Sequence, residues 1–188
     1  MKAIMISIQP QWVEKILNGE KTIEIRKTIP KCELPCKVYI YCTKDTRKIL
    51  AGAPFVEKSW TCWNRQSWSA QEKKDCGYGK YNGKVVAEFT LNHYNKFDYD
   101  GLIFHDMKDI ILEHSCLTDE QLCNYIQDNL GYAWHIRNLI IYDKPKELDE
   151  FSAGKAKIDC GYGNYDIYNK ILKRPPQSWC YVENLDEN

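Results

Sequence analysis

Eight consecutive residues hold most of the chemistry in this sequence: Gly19-Glu20-Lys21-Thr22-Ile23-Glu24-Ile25-Arg26. From Thr22 to Arg26 polar and apolar residues alternate, the period of a strand. Ile23 and Ile25 then face a core, while Thr22, Glu24 and Arg26 share the opposite face and Lys21 stands at the mouth of the strand. Strand residues two apart are separated by roughly 6.5–7 Å along the chain. Lys21, Glu24 and Arg26 can therefore ring one small ligand with an ammonium, a carboxylate and a guanidinium. The same row also reads as a salt-bridged face of an exposed strand. Spacing alone does not separate the two.

The elements that must position this row are legible around it. Lys2 to Ile8 reads as a strand. Its apolar run stops at Gln9-Pro10 with no cleavage site after it, so it is expected to be a buried strand and not a secretory signal. Pro10 suits a first helical turn. Trp12, Val13, Ile16 and Leu17 recur at helical spacing, and Gly19 supplies the stop. Cys36 to Cys42 reads as a third strand and Lys84 to Leu91 as a fourth, entered through the turn signal Asn82-Gly83. Residues 93–116 are mixed and acidic. Thr118-Asp119-Glu120-Gln121 has the form of a capping box, and Leu122, Tyr125 and Ile126 follow on one helical face. Ala133 to Tyr142 is a further strand. Residues 153–173 look loop-like, and Pro175 to Val182 ends in a short strand behind two prolines. Residues 45–82, with Trp60, Trp63 and Trp68, read as a long irregular insertion in a single domain of 188 residues.

Composition narrows the function classes. Six Trp, thirteen Tyr and five Phe can bury enough area to exclude disorder as the main state. No stretch approaches the roughly 18 apolar residues of a membrane span. Lys plus Arg and Asp plus Glu number 26 each, which disfavours a nonspecific nucleic-acid coat. The charge is uneven, with a basic first 50 residues and an acidic stretch over 91–130. Nine cysteines without an export signal are expected to be free thiols in a reducing cytoplasm. A zinc site on Cys32, Cys36 and Cys42 or on Cys116 and Cys123 is the rival reading, but neither group forms a CxxC knuckle or has a tight His pair beside it, and no metal or cofactor is expected.

Other candidate groups carry weaker signals. His93, His105, His114 and His135 fit no HxxxH or HExxH pattern. His135 lies in a strand and is expected to be packed, while His114 lies beside Glu113 and is a candidate for the cleft. Ser178 has no GxSxG elbow. Trp60, Trp63 and Trp68 offer either a stacking platform or packing against the rest of the fold. Asp75-Cys76-Gly77-Tyr78-Gly79-Lys80-Tyr81 resembles Asp159-Cys160-Gly161-Tyr162-Gly163-Asn164-Tyr165, too short a self-similarity for a repeat fold.

The order strand, helix ending in Gly19-Glu20-Lys21-Thr22, then Ile23-Glu24-Ile25-Arg26 resembles the ASCH domain of the PUA-like superfamily. The segments Tyr132-Ala133-Trp134-His135-Ile136 and Arg174-Pro175-Pro176-Gln177-Ser178-Trp179-Cys180-Tyr181-Val182 are similar to the larger ASCH proteins of phages and bacteria. The resemblance covers residues 1–44, about 84–92 and 113–182. It implies an α+β fold: a small PUA-like, partly closed β-barrel flanked by helices, with the irregular insertion at about 45–82 outside it. It implies a cleft between the barrel and the first helix, of the kind associated with RNA or modified nucleobases. Some bacterial members hydrolyse N4-acetylcytidine with a Lys, a Thr and a Glu. The resemblance puts the Lys on Lys21 and the Glu on Glu113, through the run from Glu113 to Leu122. The Thr falls on Glu24, a departure, since a carboxylate does not serve the same acyl-transfer step as a hydroxyl.

Two mechanisms follow for the cleft. In one it binds without chemistry: Lys21 and Arg26 attract phosphate or a carbonyl oxygen, Glu24 accepts from an exocyclic amine such as cytosine N4, and Trp12 or Trp179 stacks on the base. Ser7, Gln9, Thr22 and Ser178 complete the expected binding set. In the other, a nucleoside amidohydrolase, Glu24 or Glu113 activates water and Lys21 stabilises the oxyanion. Expected partners are RNA or a nucleobase-containing small molecule, with a protein partner through 45–82 as the remaining class and no membrane.

Overall fold

The computed structural model describes residues 2–44, 48–50, 61–63, 81–99, 102–127, 130–161 and 164–185. A six-stranded sheet organises them, with the strands side by side in the order Trp179–Glu183, Lys2–Ile8, Cys36–Cys42, Val85–Asp98, Leu130–Lys146, Ile23–Arg26. Its strands are β1 (Lys2–Ile8), β2 (Ile23–Arg26), β3 (Cys36–Cys42), β6 (Val85–Asp98), β7 (Leu130–Lys146) and β10 (Trp179–Glu183). Only the β1–β3 pair is parallel, and the others are antiparallel. Two small two-stranded sheets accompany it: β4 (Lys48–Leu50) with β5 (Thr61–Trp63), and β8 (Ser152–Gly161) with β9 (Asn164–Ile171). The helices are α1 (Pro10–Leu17), α2 (Leu102–Ser115) and α3 (Asp119–Ile126). Most of the 45–82 segment, including Trp60, Trp68 and Cys76, lies outside the described residues.

Strand β1 is apolar on both faces because both faces are covered. Ile4, Ile6 and Ile8 pack with Val13, Ile16 and Leu17 of α1 and with Val38, Phe89 and Trp134. Ala3 and Met5 pack on the other side with Tyr39, Tyr41, Phe151 and Val182. A third cluster joins Ile23 and Ile25 of β2 to Phe97, Ala133 and the buried positions Ile111, Leu122 and Ile126 of α2 and α3. The two isoleucines of the motif thus fasten β2 to the helices, and its polar residues are left for the other face.

The sheet curls until its two ends face each other. Arg26 of β2, one edge, donates to the Ser7 carbonyl of β1 at 2.8 Å and to Ser178 Oγ beside β10 at 3.3 Å. Just beyond β2, Thr28 Oγ1 accepts from Trp179 Nε1 at 2.9 Å, and the Lys31 backbone N–H donates to the Tyr181 hydroxyl at 2.7 Å. Side chains, not a backbone ladder, make this seam. The α+β architecture expected from the ASCH resemblance is therefore present, not as a closed barrel but as a curled six-stranded sheet with three α-helices among the described residues.

The elements read from the first 42 residues stand where they were expected. Further along, the strands run longer. The strand expected over 84–91 continues to Asp98, and the one expected over 133–142 spans Leu130–Lys146. Register shifts between Leu91 and Tyr94 allow the long pairing, and they break the alternation on which a sequence reading depends. Residues 93–116, read as mixed, hold the end of β6 and helix α2. The stretch 153–173, read as loop, holds the strands of the β8–β9 hairpin; Ile167, Tyr168 and Ile171 face solvent there, so burial on one face does not order its pattern.

Candidate functional site

Helix α1 ends in a Schellman turn that delivers Lys21. Gly19, at φ 76°, is in the left-handed conformation that glycine tolerates. Its N–H meets the Ile16 carbonyl at 3.0 Å, and the Glu20 N–H meets the Lys15 carbonyl at 2.9 Å. The chain then runs to the C-terminal end of α2, where helical carbonyls lack intrahelical partners. The Thr22 N–H caps the His114 carbonyl at 2.9 Å, and the Lys21 ammonium caps the Ser115 carbonyl at 2.8 Å. A cation at a helix C-terminus is electrostatically favoured.

Three ionic side chains meet here, all buried. Glu24 lies 3.2 Å from Lys21 Nζ through one carboxylate oxygen and 3.0 Å from Arg26 Nη2 through the other. Lys21, Glu24 and Arg26 are 3%, 7% and 7% exposed, so the row is no solvated salt-bridge face. The group sums to one positive charge. Burial lowers the Lys21 pKa from its ordinary value of 10.5, and the Glu24 carboxylate opposes that shift. Arg26 Nε is buried with no hydrogen-bond partner among the described residues.

Above the triad opens a cavity of about 620 Å³. Lys21, Glu24 and Arg26 line it together with Ser7, Gln9 and Trp12 from the β1–α1 side. Leu117, Gln121 and Tyr125 line it from the α3 side, and Pro175, Pro176 and Gln177 from the segment before β10. Its size lies within the usual range for small-ligand sites. Trp12 stands over the Lys21 ammonium, 5.6 Å from Nζ to the ring centroid, and Lys27 lies 5.5 Å from the ring of Tyr125. Burial raises the Tyr125 pKa, with Arg26 pulling the other way. Ser7 is fixed by its hydroxyl, which donates to the Pro176 carbonyl at 2.7 Å.

The structure brings Ser7, Gln9, Trp12, Lys21, Glu24 and Arg26 to one cavity. Ser178 stands at its edge as the acceptor from Arg26. The other expected residues lie elsewhere. Thr22 turns to His114, with Oγ1 and Nδ1 3.0 Å apart, and neither lines the cavity. Glu113 is exposed on the last turn of α2 and outside the lining. It is the backbone of Ser115, two residues on, that reaches Lys21. Trp179 packs against Trp134 and Tyr181 at the seam, at centroid distances of 6.4 and 5.5 Å. His135 is half-buried, stacked on His93 at 3.8 Å and bonded to Asn95. Tyr125 and Gln121 are residues of the site that sequence reasoning passed over. Tyr125 shares a helical face with Leu122 and Ile126 in the sequence, but unlike those two it is 39% exposed and lines the cavity. Its type, a lone aromatic beside the capping box, was the available signal. Among the described residues no group of three or more His, Cys, Asp or Glu could hold a metal ion.

No family model matches the sequence. Among solved structures, a mutant form of ZmASCH from Zymomonas mobilis aligns with a TM-score of 0.56 at 16% identity, over 96% of this chain and 88% of that one. A second mutant form gives 0.51 at 16% identity, over 97% and 91%. The chain has the ASCH fold. In sequence, a curated ASCH domain-containing ribonuclease from the same bacterium is 27% identical over 100 residues, 49% of this chain and 66% of that protein. The chain thus spans just under two thirds of that relative's length. Within this ASCH fold, Lys21, Glu24 and Arg26 occupy the floor of the cleft between α1, α3 and the curled sheet. No helix among the described residues is long and apolar enough to cross a membrane.

Proposed function

We propose that this protein recognises RNA by taking one nucleotide into the cleft over Lys21, Glu24 and Arg26. The observation that carries the reading is the buried triad on the floor of a cavity walled by aromatic side chains. Its net positive charge suits phosphate or a base carbonyl. Trp12 and Tyr125 offer π-faces to a base, a sequence-tolerant contact. Gln177 offers an amide for a base edge, and Gln121, whose Oε1 closes the capping box, offers its NH2. The ribonuclease name of the curated relative points the same way. The test is a thermal shift of the purified protein with short RNAs and single nucleosides, beside Lys21→Ala. A shift with either ligand that Lys21→Ala abolishes supports the reading. A shift equal in both proteins overturns it.

One observation favours a second reading, hydrolysis. Lys21 and Glu24 meet at 3.2 Å on the cavity floor, an ammonium and a carboxylate in reach of one reacting group, and burial lowers the Lys21 pKa, which brings a lysine toward proton transfer. The bonds at stake are the phosphodiester of RNA or the N4-acyl amide of a modified cytidine. With Glu113 outside the cleft, Glu24 is the carboxylate placed to serve. Turnover of a labelled RNA and of N4-acetylcytidine, lost in Lys21→Ala and in Glu24→Gln, is the expected signature. Absence of product from both substrates leaves binding as the activity.

A further inference from the structure

The β8–β9 hairpin lines no part of the cavity and forms a sheet of its own, with β8 packed beside β10. Its described side chains, over 152–157 and 167–171, together with the strap 172–174 that leads out of it, include Lys155, Lys157, Lys170, Lys173 and Arg174, and not one Asp or Glu. All five basic residues are exposed. Lys155, Lys170, Lys173 and Arg174 make no ion pair among the described residues. Such a cluster is notable in a chain whose formal charge is zero. Its two acidic residues, Asp159 and Asp166, lie by register in the half toward the tip. Apolar and aromatic surface is interleaved with the charge. Ile167 is 61% exposed and Tyr168 46% exposed. By register Lys155 and Lys157 share a face with Ile167, and Tyr168 shares the other with Lys170. Exposed apolar and aromatic side chains among lysines suit a nucleic-acid strand, whose backbone is anionic and whose bases stack.

The position of the hairpin gives the cluster a direction. Leu172 ties the end of β9 back to the Phe151 carbonyl at 2.8 Å, just before β8. Lys173 and Arg174 follow, and the next three residues, Pro175, Pro176 and Gln177, already line the cavity. Basic surface and cleft are thus joined by five residues of chain, two of them prolines that fix the path.

We infer that the base of the β8–β9 hairpin and the Lys173–Arg174 strap form a docking arm for the RNA backbone, which feeds the strand into the cleft. This inference rests on the cleft reading for the direction of the strand, and it adds a surface that would bind several phosphates outside the cleft.

The probe is a fluorescein-labelled single-stranded RNA of about 15 nucleotides, long enough to cover arm and cleft, followed by anisotropy at several salt concentrations. The variant is Lys155→Gln/Lys157→Gln/Lys170→Gln, with the matching triple Lys→Arg as rescue. The expected result is an affinity loss of about tenfold or more at low salt and a salt slope shallower by about 2, since each phosphate contact to a single strand contributes about 0.7. The arginine triple should restore both, and a nucleoside thermal shift should be unchanged in all three proteins. Equal RNA affinity and slope in wild type and the glutamine triple overturn the arm, even if Lys21→Ala still abolishes the nucleoside shift, which leaves the cleft standing. A wild type that shifts with nucleoside but does not bind the RNA overturns the arm in the same way. RNA binding lost in the glutamine triple but untouched by Lys21→Ala sustains the arm and removes the cleft.

Discussion

Lys21 Nζ and Glu24 Oε2 meet at 3.2 Å with side chains only 2% and 10% exposed. Neither charge is solvated, so each depends on the other and on fixed dipoles. The Ser115 carbonyl holds the ammonium from behind, and Arg26 holds the second carboxylate oxygen. The geometry presents a preorganised cation to whatever enters, and no bulk water need be rearranged to expose it.

Removing the carboxylate should be costly. Glu24→Gln leaves two cations buried beside a neutral amide, and breaking a buried pair costs about 3–5 kcal/mol. Urea unfolding at neutral pH is the measurement. A loss below about 1 kcal/mol, the range of exposed pairs, would mean that the triad is hydrated.

The lowered Lys21 pKa fixes the sign of a pH effect. A lysine whose folded pKa lies below the unfolded value binds fewer protons when folded, in the interval between the two. Its cost to stability is present in full below the folded pKa and is relieved as pH rises toward 10.5. The difference in Tm between wild type and Lys21→Met should therefore move in favour of wild type as pH is raised through the alkaline range. A difference independent of pH would contradict the burial that lowers the pKa.

Tyr125 in the cavity and Trp179 at the seam should part company by readout. Tyr125→Ala, at an exposed position lining the cavity, should weaken RNA or nucleoside binding by about 1–3 kcal/mol, the worth of one stacked base, and leave Tm nearly unchanged. Trp179→Ala should do the reverse. It removes a packed ring from Trp134 and Tyr181 and the bond to Thr28, and should lower stability by about 3 kcal/mol. Isothermal titration beside thermal unfolding separates them.

His135 offers a spectroscopic check of the sheet. Burial first, then the charge of stacked His93, depresses its pKa from 6.5 to about 4. Because the folded value is the lower one, the folded state takes up fewer protons between pH 4 and 6.5. Its contribution to stability is full above pH 6.5 and falls as pH drops toward 4. An NMR titration should find the His135 ring neutral at pH 5.5. A midpoint near 6.5 would mean that the His93–His135 stack is open in solution.

The first 42 residues were readable because each of their elements has a local cause. Pro10 starts α1, Gly19 stops it, and Ile23 and Ile25 alternate with the polar row. The capping box at Thr118 was equally local, and the structure has both of its bonds. What stayed hidden was set by distant contacts. No spacing in the sequence tells that Ser115, 94 positions away, supplies the carbonyl that holds Lys21. Thr22 belonged to the row by alternation, but the end of α2 drew it to His114. Trp179 had the chemistry of a stacking residue, and the curl of the sheet carried it to the seam. Tyr125 was hidden for the opposite reason: an aromatic at helical spacing reads as core.

The side-chain seam has a bearing on the two edges of the sheet. An open sheet has two edges, and each is a template for pairing with another chain. Here the edge strands have four and five residues, β2 and β10. Arg26, Thr28 and Lys31 turn one edge toward the other. Loosening the seam, as Arg26→Ala would, uncovers two short edges at once, so self-association should accompany the stability lost from the triad.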